Sequence, residues 1–106
     1  MPDKMIYQLH ADVCKALAHA IRIEIIDMLG ESELGFREIS EKTSVAKSSL
    51  SQHLSVMVEK GILTQRKEGL NSYFKLSTPK VAEACQLMRE VLIERLEKTQ
   101  DLLKTL

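Results

Sequence analysis

The chain has 106 residues, 44% of them hydrophobic, which suits one domain with a modest core. No apolar run approaches the roughly 18 residues of a membrane span, and the N-terminus lacks the apolar stretch of a signal peptide. We therefore expect a cytoplasmic protein with no membrane partner. The formal net charge is zero, but residues 1–36 are acidic, residues 37–75 are basic and residues 76–106 are balanced. An anionic partner should meet the middle third of the chain.

Apolar residues at spacings of three and four predict four helices in the first 60 residues. These helices cover about residues 4–17, 20–29, 36–43 and 47–59. Gly30 is placed to end the second helix, and the acidic residues after it indicate a turn. Phe36 and Ile39 should face inward from the third helix. The buried side of the fourth helix should consist of Leu50, Leu54, Met57 and Val58.

After Gly61 the hydrophobic period changes toward two, which predicts two strands within 62–77 that meet at a turn over 68–71. Thr78 and Pro79 then supply an N-cap and a first residue for a long last helix. Its apolar stripe is wider than packing on so small a domain requires. The stripe consists of Val81, Ala84, Cys85, Met88, Val91, Leu92, Leu96, Leu102 and Leu103. The same face of a second copy is the economical partner, so we expect a homodimer.

Two short helices followed by a basic hairpin have the order of a winged helix-turn-helix protein. The predicted fold is mainly α with a small β-hairpin, in the order α-α-α-α-β-β-α, and residues 1–106 form a single DNA-binding domain. Within it, 36–59 is the helix-turn-helix and 62–77 the wing. The first and last helices, within 1–18 and 78–106, form the dimer interface.

The predicted partner is double-stranded operator DNA. Polar side chains on the exposed N-terminal turns of the fourth helix suit base edges and phosphates, and the hairpin adds basic residues. The predicted DNA contacts are Lys47, Ser48, Ser49, Ser51, Gln52 and His53 on the helix and Arg66, Lys67, Asn71 and Lys75 on the hairpin. A solvated helix start and a charged sheet edge would use the same residue types. The hairpin directly follows the helix in the only basic third, which favours DNA.

Three segments resemble the arsenical-resistance and metallothionein repressors, the ArsR/SmtB type. They are CKALAHAIRI from Cys14, SSLSQHL from Ser48 and GLNSYFKL from Gly69. The resemblance covers about residues 8–98 and implies a homodimer that leaves operator DNA when an inducer binds. It also implies that recognition falls on Lys47, Ser48, Ser49, Ser51, Gln52 and His53. One departure is Ala46, where the family commonly has Ser or Thr. Capping of that helix then falls to Ser44 or to no side chain, at a cost of about 1 kcal/mol.

The metal ligands that the resemblance would supply are missing. Residues 36–43 contain no cysteine pair and the last helix contains no histidine, so we predict no metal site and no cofactor. Cys14 and Cys85 remain as candidate sensor thiols for a redox, reactive-sulfur or thiophilic-metalloid signal. Both also fall on apolar stripes, where cysteine packs as a small hydrophobe. His19 is expected to cap or pack at a helix start.

An enzyme is not expected, because the chain has no glycine-rich phosphate loop, no Gly-x-Ser-x-Gly and no His-Glu-x-x-His. No catalytic residue is predicted. The competing function is a winged-helix module for protein interaction or dimerisation, with no thiol- or metal-sensing role. Zero net charge favours this module, whereas the basic middle third favours a repressor. Salt dependence separates the two, since DNA binding weakens steeply with salt and an apolar interface does not.

Overall fold

The computed structural model describes residues 3–106 of the chain. It has five helices and three strands within this range. The helices are α1 (Met5–Leu17), α2 (Ala20–Leu29), α3 (Phe36–Thr43), α4 (Lys47–Glu59) and α5 (Pro79–Lys104), and the strands are β1 (Leu34–Gly35), β2 (Leu63–Glu68) and β3 (Asn71–Leu76). The predicted helices and the two wing strands are confirmed. The predicted dimerisation segment 1–18 begins with two residues that lie outside the described range.

The predicted hairpin of β2 and β3 is present, and β1 adds a third strand that was not predicted. The antiparallel sheet has the order β1-β3-β2, with Leu34 opposite Phe74 and Gly35 opposite Tyr73. The element order is therefore α-α-β-α-α-β-β-α. A two-residue strand is too short to show a period of two. Its pairing ties the turn after α2 to the wing.

The core lies between α2, α3, α4 and the inner face of the sheet. Its fully buried side chains are Ile25, Ile26, Leu29, Ile39, Leu50, Leu54 and Met57. Each contributes about 1.5–3 kcal/mol through burial of apolar surface. Phe36 and Val58 pack at the edge of this core and are only half-buried. The apolar side of α4 is thus held firmly, which leaves its polar side on the surface.

Local sequence accounts for the helix ends. His19 caps α2, since its Nδ1 accepts a hydrogen bond from the backbone N–H of Ile21 at 3.1 Å. This confirms the predicted capping role. Gly30 ends α2 with a φ of 52°, a region that favours glycine. α4 begins after Ala46 without a side-chain cap, because Ser44 instead adopts the left-handed conformation that ends α3.

Two helices expose unpartnered apolar surface. α5 contacts α2 and β3 along one side, yet none of its residues is buried. Its exposed apolar side chains include Leu87, Met88, Val91, Leu92 and Leu96, and those of α1 include Met5, Ile6, Leu9 and Val13. Within residues 3–106, no helix is both long enough and apolar enough to cross a membrane.

Candidate nucleic-acid interface

The N-terminal half of α4 presents a polar surface. Lys47, Ser48, Ser51 and Gln52 are exposed, whereas Ser49 is half-buried. The arrangement follows from the buried positions of the same helix, because Leu50 and Leu54 are at most 1% exposed and turn the opposite side toward solvent. The structure therefore brings four of the six predicted helix residues onto one exposed surface, whereas Ser49 and His53 are half-buried.

A cleft of about 570 Å³ separates this surface from the wing. Leu54 and Phe74 are among its apolar lining residues. Its polar lining residues include Arg37, Ser51, Ser55, Gln65, Asn71 and Ser72. The cleft is thus bounded by α3, α4 and the wing. It lies between the two parts of the predicted DNA interface, which are the polar side of α4 and the wing.

The wing ends in a two-residue turn formed by Gly69 and Leu70. Gly69 has a φ of 62° and Leu70 does not have a positive φ, as in a type II′ turn. Leu70 is fully exposed, and Asn71, which follows it, is exposed as well. The tip is therefore narrow and open to solvent.

The predicted basic residues of the wing lie on different faces of the sheet. Lys67 is paired with Ser72 and shares the face of Leu63, which packs into the core. Arg66 and Lys75 lie on the opposite face, because side chains alternate along a strand. Lys67 and Lys75 are both exposed.

Arg66 is already paired within the chain. Its guanidinium donates to Glu33 at 2.7 Å and to Glu68 at 2.8 Å, and it lies 4.6 Å from the centre of the Tyr73 ring. The hydrogen bonds that Arg66 donates to Glu33 and Glu68 raise the pKa of Arg66. The bond from Arg66, aided by the charge of Lys75, lowers the pKa of Glu33. The structure thus shows Arg66 bracing the wing against the turn after α2, a partnership that the sequence did not indicate.

His53 lies beside two residues that were not assigned to the interface. Its Nδ1 accepts a hydrogen bond from Nε of Arg22 at 3.1 Å, and its ring centre lies 4.3 Å from that of His19. Burial lowers the pKa of His53, and the nearby His19 and Arg22 lower it further. Arg22 lies in the first segment of the family resemblance. However, 31 residues separate it from His53, and no local pattern indicates this contact.

The two thiols occupy different environments. Cys14 is exposed on α1, and Cys85 is half-buried against the core. Burial raises the pKa of Cys85, and Asp27 raises it further against the opposing effect of Arg89. Both cysteines are free. Among residues 3–106, no cluster of three or more His, Cys, Asp or Glu side chains is placed to hold a metal ion.

Comparison with known proteins gives one family. The family model described as "Bacterial regulatory protein, arsR family" matches residues 19–65, from the cap of α2 into β2. The HTH-type transcriptional regulator Rv0081 of Mycobacterium tuberculosis is 32% identical over 93 residues, which cover 87% of this chain and 82% of its own. The transcriptional activator HlyU of Vibrio cholerae is 32% identical over 77 residues, which cover 73% of this chain and 71% of its own.

Solved structures agree in fold. The crystal structure of Rv0081 has a TM-score of 0.80 at 30% identity and covers 89% of this chain and 95% of its own. The homodimeric winged helix-turn-helix domain of Mb0332 from Mycobacterium bovis has a TM-score of 0.79 at 28% identity, with coverage of 91% and 90%. The chain therefore belongs to the ArsR family of bacterial regulatory proteins and has a winged helix-turn-helix fold.

Proposed function

We propose that this chain is a homodimeric transcriptional repressor that reads operator DNA with α4 and its wing. The observation that carries the proposal is the cleft of about 570 Å³, which has the polar side of α4 on one side and the wing on the other. A recognition helix enters the major groove while flanking elements contact the backbone. The buried side of α4 supports this use, since Leu50 and Leu54 hold the helix rigidly on the core.

Exposed lysines on α4 and on the wing suit phosphate groups. Lys47 at the start of α4 and Lys67 on the wing are exposed, as is Lys75 on the outer face of the wing. The ion pairs described for residues 3–106 involve none of these three lysines. An exposed ammonium without a carboxylate partner can release counterions when it meets a phosphate.

A second copy is the proposed partner of α1 and α5. Val91 is 58% exposed and Met88 is 70% exposed on α5, and Ile6 and Leu9 are each 47% exposed on α1. Exposed apolar side chains on two helices mark an association surface, and the related domain of Mb0332 is homodimeric. A two-fold axis would present two copies of α4 to two half-sites of one operator.

The test is fluorescence anisotropy with labelled DNA from upstream of this gene. Replacing Lys47 and Gln52 together with Ala should weaken binding, while the dimer stays intact in sedimentation. A matched control replaces Lys60 with Ala, since Lys60 is exposed at the far end of α4 and lies outside both proposed dimerisation helices. Equal affinity of the α4 variant and the wild type would refute the recognition assignment. A promoter-reporter assay then shows whether binding lowers or raises transcription.

The release signal is a separate hypothesis, in which a thiophilic or oxidising inducer acts at Cys14 and Cys85. The exposure of Cys14 supports a reactive role, whereas the packing of Cys85 and its raised pKa favour a place in the core. Treatment with polysulfide should release DNA from the wild type and not from the Cys14→Ser variant. Unchanged DNA binding by the treated wild type would refute the hypothesis that the two thiols control release from DNA.

A further inference from the structure

A contact between three side chains joins the start of α2 to the middle of α4. Arg22 donates from Nε to Nδ1 of His53 at 3.1 Å and from Nη1 to the backbone carbonyl of Ala16 at 3.2 Å. The ring of His19 lies against that of His53 with 4.3 Å between the centres. Because Ala16 is only 3% exposed, Arg22 is anchored on a buried part of α1. Arg22 therefore links the end of α1 to α4.

The contact determines where the imidazole proton of His53 lies. A guanidinium has only N–H donors and keeps its charge at all ordinary pH values. The Nδ1 atom of His53 must then contribute a lone pair, so the neutral ring carries its proton on Nε2. Protonation of Nδ1 would place an N–H group opposite the N–H group of Arg22. The contact thus favours one tautomer of the neutral ring and disfavours the charged ring.

His53 is also placed where a donor is useful, because it lines a shallow surface cleft with Ser51 and Gln52 of α4. We propose that Arg22 is a positioning residue of the DNA interface, which holds His53 as a neutral Nε2–H donor for a DNA acceptor. The inference rests on the proposed use of α4 in DNA binding. It assigns Arg22 a function that is distinct from direct contact with DNA.

Nitrogen-detected NMR of the histidine rings tests the proton position in the folded wild-type protein, with His53→Gln to assign the signals. The wild type should show His53 as the Nε2–H tautomer, and Arg22→Ala should give a mixture of tautomers. Arg22→Lys should restore part of the preference, since lysine keeps a donor and a charge. The matched control is Arg89→Ala, which removes a cation that pairs with Asp27 on α2. A wild-type Nδ1–H tautomer, or a population unchanged in Arg22→Ala, would overturn the proposal.

DNA affinity tests the consequence through a double-mutant cycle. Arg22→Ala should weaken binding about fivefold, as expected for the loss of about one hydrogen bond. In the His53→Gln background the same substitution should have little effect, because the glutamine amide supplies an N–H group without help from Arg22. Equal losses in both backgrounds would show that Arg22 acts on DNA directly or on the fold, and would overturn the proposal.

Two further measurements distinguish an unfolded variant from a failure of the proposed DNA-binding function. Thermal melts of Arg22→Ala and Arg22→Lys show whether the variants remain folded, and the lysine variant is the one used if the alanine variant unfolds. A wild-type protein that binds no DNA would refute the proposed function and, with it, the role of Arg22 at the interface. The NMR result in that case would still decide whether Arg22 sets the proton position on His53.

Discussion

Adjacent cations on the wing should differ in how they contribute to DNA binding. Arg66 is paired with Glu33 and Glu68, whereas Lys67 is exposed and outside the ion pairs of the described residues. Each phosphate contact contributes about 0.9 to the slope of log affinity against log salt concentration. A dimer carries two copies of Lys67, so Lys67→Gln should reduce the magnitude of this negative slope by about 1.8.

The expected wild-type value follows from the same count. If Lys47, Lys67 and Lys75 each meet a phosphate, a dimer makes about six contacts and the slope is about −5. The affinity should then fall roughly a thousandfold between about 50 and 200 mM salt. Anisotropy titrations at four or five salt concentrations measure the slope. A slope near zero would favour the protein-interaction module over the repressor.

The control for Lys67→Gln removes an ion pair at constant net charge. Replacing Glu33 and Arg66 together with Gln should leave the slope unchanged, because the paired guanidinium is not expected to displace counterions from DNA. A fall in slope equal to that of Lys67→Gln would show that Arg66 leaves its carboxylates and contacts a phosphate in the complex. That result would refute our inference from the ion pairs.

Three further predictions concern stability and assembly. Leu54→Ala should lower the free energy of unfolding by about 2–5 kcal/mol in urea titrations, because Leu54 is 1% exposed; a loss below about 1 kcal/mol would contradict its core role. Val91→Glu should convert a dimer to a monomer in sedimentation velocity with its helical circular dichroism retained, and a persistent dimer would place the interface elsewhere. The pKa of His53 is lowered by burial and by His19 and Arg22, so the unfolded chain binds the proton more tightly. The free energy of unfolding should therefore fall as the pH drops below about 6.5, and the part due to His53 should be absent from His53→Gln.

The helices were predictable because their signals are local. Thr78 caps α5 by accepting a hydrogen bond from the backbone N–H of Lys80 at 3.3 Å, and Pro79 is its first residue. The fourth helix likewise shows its buried side in the spacing of Leu50 and Leu54. β1 was missed because it is defined by its pairing with β3, about forty residues later in the chain. A segment of two residues is too short to show this pairing as a hydrophobic pattern.

The same distinction between local and distant signals applies to the interface. The outward surface of α4 follows from its own helical period. The partners of Arg66 and His53 do not, since Glu33 is 33 residues away from Arg66 and Arg22 is 31 residues away from His53. The pairing of β1 with β3 brings Glu33, which precedes β1, near the wing. Residue type and position therefore predicted the DNA-facing surface. They did not show that Arg66 and His53 already make contacts with other residues of the chain.

Arginine and lysine have different roles in this chain, which changes the meaning of its zero net charge. Within the described residues, the ion pairs of arginine are Arg37 with Glu41, Arg66 with Glu33 and Glu68, and Arg89 with Asp27. The planar guanidinium suits such fixed partners, whereas the hydrated, flexible ammonium of lysine suits exchange between water and phosphate. Carboxylates that pair with arginine no longer oppose the exposed lysines near α4 and the wing. A net charge of zero is therefore compatible with a positive DNA-facing surface, and it does not favour the interaction module.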